Sequence, residues 1–352
     1  MLSTAITATM TRLGIVMTPQ EGDPLEQEGV LNPASGRDAD GRLWLLPRMV
    51  ARGNVSRVGL AEVLVKDGLP TGVRREGVAL APDAGWEQAI GHAGVEDPRA
   101  TWIPSLGVHA MTYIAFGPIG PRPALATSTD LRTWTRRGPI HFEYQPDLDT
   151  DLNLFPNKDC VFFPEPVTAP DGRAAYAMLH RPMWDLSWVR PGEGTYLPAG
   201  ISDDRPGIWI SYIPVDEVAD DPAALTHQQQ HRLVALPEYD FEQVKIGAGP
   251  PPLQVDGGWL LIHHGVSGEL TPGFGLQQDV RYCAGAMLLD LADPSQVLAR
   301  TPEPLLEPAV AAEIDGIVAN VVFPTAIEEI EGTHFVFYGM ADSAIGVARL
   351  DW

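Results

Sequence analysis

The residues in this chain best suited to chemistry stand beside prolines. Asn32 precedes Pro33; Glu96 and Asp97 precede Pro98, with Arg99 just after it; Asn157, Lys158 and Asp159 lie upstream of Pro164; Asn320 lies upstream of Pro324. The apolar runs that follow carry a second set: Arg48, Arg181 next to His180, and His263 with His264. Polar side chains in otherwise apolar segments are costly to bury unless they are paired or put to use. Carboxylates and cations together suit cleavage of a glycosidic bond. A carboxylic acid protonates the leaving oxygen while a second group attacks the anomeric carbon from the opposite face. If the attacker is water, another carboxylate must activate it. If it is phosphate, no base is needed, and the site needs cations instead: arginine for bidentate oxygen contacts, lysine or protonated histidine as point charges.

These residues converge only if the elements that carry them meet. A turn glycine followed by an apolar, aromatic-rich run recurs in DGRLWLLPRM at Gly41, LGVHAMTYIAFG at Gly107, DGRAAYAMLHRP at Gly172, DGGWLLIHHGV at Gly257 and EGTHFVFYGMA at Gly332. Each run reads as a strand. A segment ending in proline precedes each one (Pro33, Pro98, Pro164, Pro252, Pro324), and a third apolar stretch follows it, as in RVGLAEVLV or YCAGAMLLDL. The unit is therefore strand, turn, strand, turn, strand, with room for an outer fourth. Small sheets repeated radially close a ring and leave only short, protected edges. The recurrence predicts an all-β fold, a five-bladed β-propeller built from residues 1–352 as a single domain. The first strand of each blade would line the central channel. A two-sheet sandwich competes with this architecture but predicts no fivefold recurrence. Helices are expected only on connections, with LADPSQVLAR and VDEVADDPAALTHQQQ the best candidates.

Composition narrows the partners. With 24 Lys and Arg against 46 Asp and Glu, the net charge is −22, which disfavours nucleic acid and anionic membrane surfaces. The basic residues include only three lysines, Lys66, Lys158 and Lys245. The two cysteines, Cys160 and Cys283, are too few for a disulfide framework or a cysteine-based zinc site, and their contexts read as buried strand. The first 20 residues contain Arg12 and no long apolar run, so the expectation is a soluble, cytoplasmic protein with no transmembrane helix. Asp147, Asp149 and Asp151 alternate in HFEYQPDLDTDLN, but no glycine or terminal glutamate completes a calcium loop, and a solvated acidic loop is expected. No metal or cofactor is called for.

The segments GVLNP (29–33), GVEDPR (94–99), NLFPNKDCVFFPE (153–165), MLHRP (178–182), KIGAGPPP (245–252), GWLLIHHGV (258–266), NVVFP (320–324) and YGMADSAIGVA (338–348) resemble, in order and over nearly the whole chain, glycoside hydrolase family 130. The resemblance implies a five-bladed propeller and an inverting phosphorylase that cleaves β-mannosides with inorganic phosphate to give α-mannose 1-phosphate. It makes Asp97 the general acid, acting through the mannose 3-hydroxyl. It assigns Lys158, Arg181, Lys245 and His264 to phosphate, and Asn32, Arg48, Asp342 and Asp159 to the sugar. Where the family often has Tyr-His-Gly this chain has His263-His264-Gly265, which leaves open which imidazole faces phosphate. A β-1,2-mannosidase using water and a non-catalytic carbohydrate-binding propeller are the alternatives. The resemblance also allows a homo-oligomer. Residues 183–207 read as an insertion whose Trp184 and Trp188 either stack on a sugar or pack the loop onto the scaffold.

Overall fold

A computed structural model describes residues 6–187, 190, 192–270, 277 and 279–352. The fold is nearly all-β. Its strands form five antiparallel groups in chain order. The first comprises Gly29–Arg37, Leu43–Ala51, Val55–Lys66 and Leu69–Leu80. The second comprises Ala93–Ile103, Val108–Gly117, Gly120–Ser128 and Thr135–Pro139. Asn157–Phe162, Ala174–Pro182, Ile208–Pro214 and His227–Ala235 make the third. Lys245–Ala248, Gly258–Gly268, Val280–Leu289 and Val297–Arg300 make the fourth. The fifth joins Val322–Ile330, Thr333–Met340 and Ala344–Asp351 to the N-terminal strand Thr9–Met17, which pairs antiparallel with Ala344–Asp351. Two parallel pairs, Val55 with Ala93 and Ser56 with Gly94, fuse the first two groups into one sheet.

Apolar packing follows the same order. One buried cluster, with Trp44 and Tyr113, lies between groups one and two; another, with Phe162 and Trp209, between two and three. Clusters containing Trp259, Tyr338 and Phe337 fill the remaining junctions, and the last is shared by the fifth and first groups. The series of cores thus returns to its start. At the centre, Gly29–Arg37 lies against Ala93–Ile103 and Val322–Ile330, and Asn157–Phe162 lies against Ala93–Ile103 and Lys245–Ala248.

Three expectations change. The strands carrying Pro33, Pro98 and Pro324 run through the proline instead of ending there; a register shift takes Pro33 and Pro98 out of the ladder, and another begins immediately after Pro324. LADPSQVLAR holds the edge strand Val297–Arg300 rather than a helix, since pairing with Val280–Leu289 outweighs its helix-forming composition. VDEVADDPAALTHQQQ is helical only at Val215–Val218 and in the 3-10 turn Pro222–Thr226 before its end enters a strand. Of the two tryptophans in 183–207, Trp184 is buried edge-on against Phe155 and Trp209 and so packs the loop; Trp188 lies outside the described residues. Asp151 caps a 3-10 turn by accepting from the Asn153 N–H at 2.9 Å. Both cysteines are free and buried. Among the described residues no helix is long and apolar enough to cross a membrane.

Four groups share a device that the sequence reading missed. Glu26, Glu87, Glu242 and Glu313 are fully buried, each just before the first strand of its group. Each is clasped by an arginine from the outermost strand of the same group. Arg75 donates twice to Glu26 at 2.8 Å, Arg136 twice to Glu87 at 2.9 Å, Arg300 to Glu242 at 2.6 Å, and Arg12 to Glu313 at 2.7 and 2.9 Å. Second-strand side chains add donors: Tyr113 to Glu87, His263 to Glu242 and Tyr338 to Glu313. Backbone N–H groups of Gln20, Ala84, Tyr239 and Val310 complete the shells. Removing one partner leaves a buried charge uncompensated, at about 3–5 kcal/mol for a fully buried pair. Arg12 is 24% exposed, so Arg12→Ala is expected to cost about 2–3 kcal/mol and to unfasten the N-terminal strand. Arg12→Lys restores less than half, because the fork is lost. Urea unfolding checks this; a loss under about 0.5 kcal/mol, the scale of an exposed pair, means that the sheet alone holds the strand.

Candidate active site

The site is built on backbone irregularities at matching places in three groups. Asn32, Asp97 and Asp159 each sit in a register shift of a first strand, with φ of 42°, 47° and 54°. Asn and Asp tolerate the left-handed region better than other non-glycine residues, so a side chain can be re-aimed out of the ladder at each bulge. Asn320 and Asp342, at φ 59° and 51°, share the conformation in the fifth group. Two glycines make the close approach possible: a Cβ on Gly339 would stand 2.1 Å from Asn32 Oδ1, and one on Gly247 would stand 2.1 Å from Asp159 Oδ2.

Asp97 is the centre of one half. Asn32 Nδ2 donates to its Oδ1 at 2.8 Å and Arg48 Nη1 at 3.0 Å, while Lys158 Nζ stands 3.8 Å from Oδ2. Arg48 is buried, donating also to Glu96 Oε1 at 2.8 Å, Ser56 Oγ at 2.9 Å and Asn54 Oδ1 at 3.2 Å. Burial raises the Asp97 pKa, but Arg48, Lys158 and the Asn32 bond outweigh it and hold the carboxyl well below the usual carboxylate range. Asp342 feels the same charges with a different balance. Burial and repulsion from Asp97 exceed the help from Arg48 and raise it to about 6.

Asp159 is the centre of the other half. Its Oδ2 accepts from Arg181 Nε at 2.6 Å and lies 3.5 Å from His264 Nε2; Arg99 Nη2 stands 3.9 Å from Oδ1. Burial opposes its ionisation, yet Arg181 and Arg99 bring it down to about 2. Lys245 places Nζ 5.4 Å from the centre of the Tyr282 ring, and burial together with Arg181 lowers it to about 7. Burial drives His264 well below its ordinary value, so it is a neutral imidazole. Arg181 Nη1 and Arg99 Nη1 and Nη2 are buried with no hydrogen-bond partner among the described residues, as are both His264 ring nitrogens. Three cations thus face one carboxylate, with donors to spare.

The predicted residues therefore divide. Asn32, Arg48 and Lys158 surround Asp97, with Asp342 coupled to the same charges; Arg181, Lys245 and His264 gather about Asp159. Lys158 reaches the Glu96–Asp97 pair, at 3.6 and 3.8 Å, rather than the arginines. Asp159 has its oxygens committed to cations. The two histidines separate because successive residues of a strand face opposite ways. His264 faces Asp159, whereas His263 gives its Nε2–H to Glu242 at 2.7 Å. Sequence reasoning missed Tyr282 and Phe323, whose rings pack on His264, and the extent to which Arg99 enters the cation cluster.

Comparison with known proteins identifies the family. The family model described as β-1,4-mannooligosaccharide phosphorylase matches residues 20–352. A 1,2-β-oligomannan phosphorylase of Thermoanaerobacter sp. (strain X514) is 32% identical over 346 residues, 96% of this chain and 94% of that protein. A β-1,2-mannobiose phosphorylase of the same organism is 33% identical over 261 residues, 73% of this chain and 67% of that protein. The β-1,2-mannobiose phosphorylase of Listeria innocua, solved with β-1,2-mannobiose, superposes with a TM-score of 0.69 at 22% identity, covering 98% of this chain and 96% of that one. With a family match that spans every strand but the N-terminal Thr9–Met17, together with the bulges and both charge clusters, the chain belongs to glycoside hydrolase family 130.

Proposed function

We propose that this protein is an inverting β-mannoside phosphorylase, that its five strand groups are the blades of a five-bladed propeller in a single domain, and that the site lies at the axis. The observation that carries the reading is the buried pair Arg99 and Arg181, whose guanidinium donors are left unpartnered beside Asp159 and Lys245. An oxyanion with several acceptor oxygens satisfies such donors, and bidentate arginine contacts fix its direction.

In this reading Arg181, Lys245 and His264, with Arg99 and on its near side Lys158, hold inorganic phosphate, the cosubstrate; no cofactor takes part. Asn32, Arg48 and Asp342 hold the mannosyl unit, and Asp159 acts on the sugar side only by holding Arg181. Phosphate oxygen attacks the anomeric carbon as the glycosidic C–O bond breaks with inversion, and the leaving oxygen takes a proton that originates on Asp97, relayed through the sugar 3-hydroxyl. The acid must first be protonated, which Arg48 and Lys158 oppose. Bound phosphate supplies the missing term: its negative charge beside Lys158 cancels part of the field that depresses Asp97. Acid strength is thereby tied to occupancy of the anion site, and water alone gains nothing from it. The acidic surface and the relatives' substrates agree with an uncharged oligosaccharide partner.

Three outcomes test this reading. Incubated with β-1,2-mannobiose, the substrate class of the relatives, the protein is expected to release mannose 1-phosphate only when phosphate is present; mannose release independent of phosphate would overturn phosphorolysis in favour of the mannosidase, and binding without turnover in favour of a lectin-like propeller. Asp97→Asn is expected to lower kcat by about 10²–10⁴-fold, the range for a lost general acid, with Tm within a few degrees; near-normal turnover removes Asp97 from the role. Lys245, lowered to about 7 by burial and Arg181, is charged below that pH and loses its charge above it, so the KM for phosphate should climb as pH rises from 6.5 to 8.5 (~tenfold per unit at most). Lys245→Arg should flatten that climb, and an unchanged profile in this variant shows that another group titrates.

A further inference from the structure

The third strand group lacks the buried glutamate–arginine clasp among its described residues and has a neutral chain in its place. Asn157 Nδ2 meets His180 Nδ1 at 2.9 Å, His180 Nε2 meets Ser211 Oγ at 2.7 Å, Ser211 Oγ meets His231 Nδ1 at 2.8 Å, and His231 Nε2 meets the Glu143 carbonyl oxygen at 2.8 Å. One residue comes from each strand, from the innermost to the outermost. All four are buried. Phe142 packs against both imidazoles. His180 occupies the second-strand place, opposite the bulge, that Tyr113 holds in group two, and Tyr113 belongs to the clasp there.

The direction of every bond in the chain follows from its outer end. A backbone carbonyl only accepts, so His231 carries its proton on Nε2 and presents a bare Nδ1. Ser211 must then donate to that nitrogen, which leaves its oxygen to accept from His180 Nε2–H. His180 Nδ1 is therefore bare, and Asn157 must turn its NH2 toward it. The reversed amide would set oxygen against a bare nitrogen. A single carbonyl at the rim thus fixes two tautomers and one amide orientation at the axis.

We infer that this chain is a positioning element for the anion site, holding Asn157 and His180 so that their chain neighbours Lys158 and Arg181 point to phosphate, and that it is uncharged so that no carboxylate is added to Asp159, Glu96 and Asp97 in competing with phosphate for those two cations. Lys158 and Arg181 are register partners across the first two strands of this group, immediately next to Asn157 and His180. A glutamate clasp in this position would put a fixed negative charge behind them, where low dielectric lets it act strongly. The other four groups supply no register pair of cations to the site and carry the charged form.

The inference rests on the phosphorolytic reading, and the test separates the two. Ser211→Ala removes both central bonds with little change in volume. Its expected effect is a rise of about five- to tenfold in the KM for phosphate, the size of one or two lost hydrogen bonds. The KM for mannoside and the kcat at saturating phosphate should stay within about twofold, and Ser211→Thr, which keeps the hydroxyl, should recover the phosphate KM. A general loosening would instead move both KM values together, or lower Tm with the phosphate KM unchanged; either result overturns the inference. If wild type makes no mannose 1-phosphate, the phosphorolytic reading falls whatever Ser211→Ala does. Should Ser211→Ala fail to fold, the ¹⁵N chemical shifts of wild-type His180 and His231 decide: Nε2–H on both supports the chain, and Nδ1–H on either refutes it.

Discussion

A carboxylate taken out of water must be answered by cations and donors, and this molecule is organised by meeting that condition in two settings. Ahead of the first strands of four groups, Glu26, Glu87, Glu242 and Glu313 are each met by an arginine that reaches back from the outermost strand. This ties both margins of a group to the connection that enters it. In the candidate site, Asp97 is met by Arg48 and Lys158, and Asp159 by Arg181 and Arg99. The glutamate pairs are closed, with donors all around the carboxylate. The cluster about Asp159 is open, with cations in excess and donors on Arg181 and Arg99 left unpartnered among the described residues.

The same accounting refines what net charge says. A total of −22 repels a polyanion, yet it does not set the potential inside a cleft with low-dielectric walls, where a few fixed groups dominate. The surplus of acid is spread over the surface, while the buried Arg181 and Arg99 and the half-buried Lys245 share one buried carboxylate in the candidate site. Lys245 records the strain of this arrangement, since burial and the neighbouring Arg181 push it down toward neutrality. Asp342 records it from the acidic side.

Much of the fold was legible because turn glycines and aromatic runs recur in phase with the strand groups. The site was legible in part because Asn32, Asp97, Lys158 and Arg181 are polar residues in apolar surroundings. Their left-handed backbone was not, although the choice of Asn and Asp at three bulges is consistent with it. The clasps left a trace in the tripeptides Leu25-Glu26-Gln27, Trp86-Glu87-Gln88 and Phe241-Glu242-Gln243, which a reading built on Gly and Pro passes over. The edge strand Val297–Arg300 was hidden because its order comes from a neighbour, not from its own residues. The neutral chain of the third group had no local signal at all: Asn157, His180, Ser211 and His231 come from four strands and have nothing in common until those strands pair.

The N-terminal strand has a further effect, on how the molecule is made. It completes the fifth group by pairing with Ala344–Asp351, and Arg12 binds Glu313 across 301 residues of sequence. Joining segments that far apart imposes a large loop-closure entropy before any contact rewards it, and topologies of this kind fold slowly. The fifth group cannot be completed on the ribosome until Ala344–Asp351 has emerged. Until then Thr9–Met17, which carries Leu13 and Ile15 on its exposed side, is an unpaired edge open to the wrong neighbour. Once latched, the strand is held both by its pairing with Ala344–Asp351 and by the Arg12–Glu313 pair, so that neither contact has to fasten it alone.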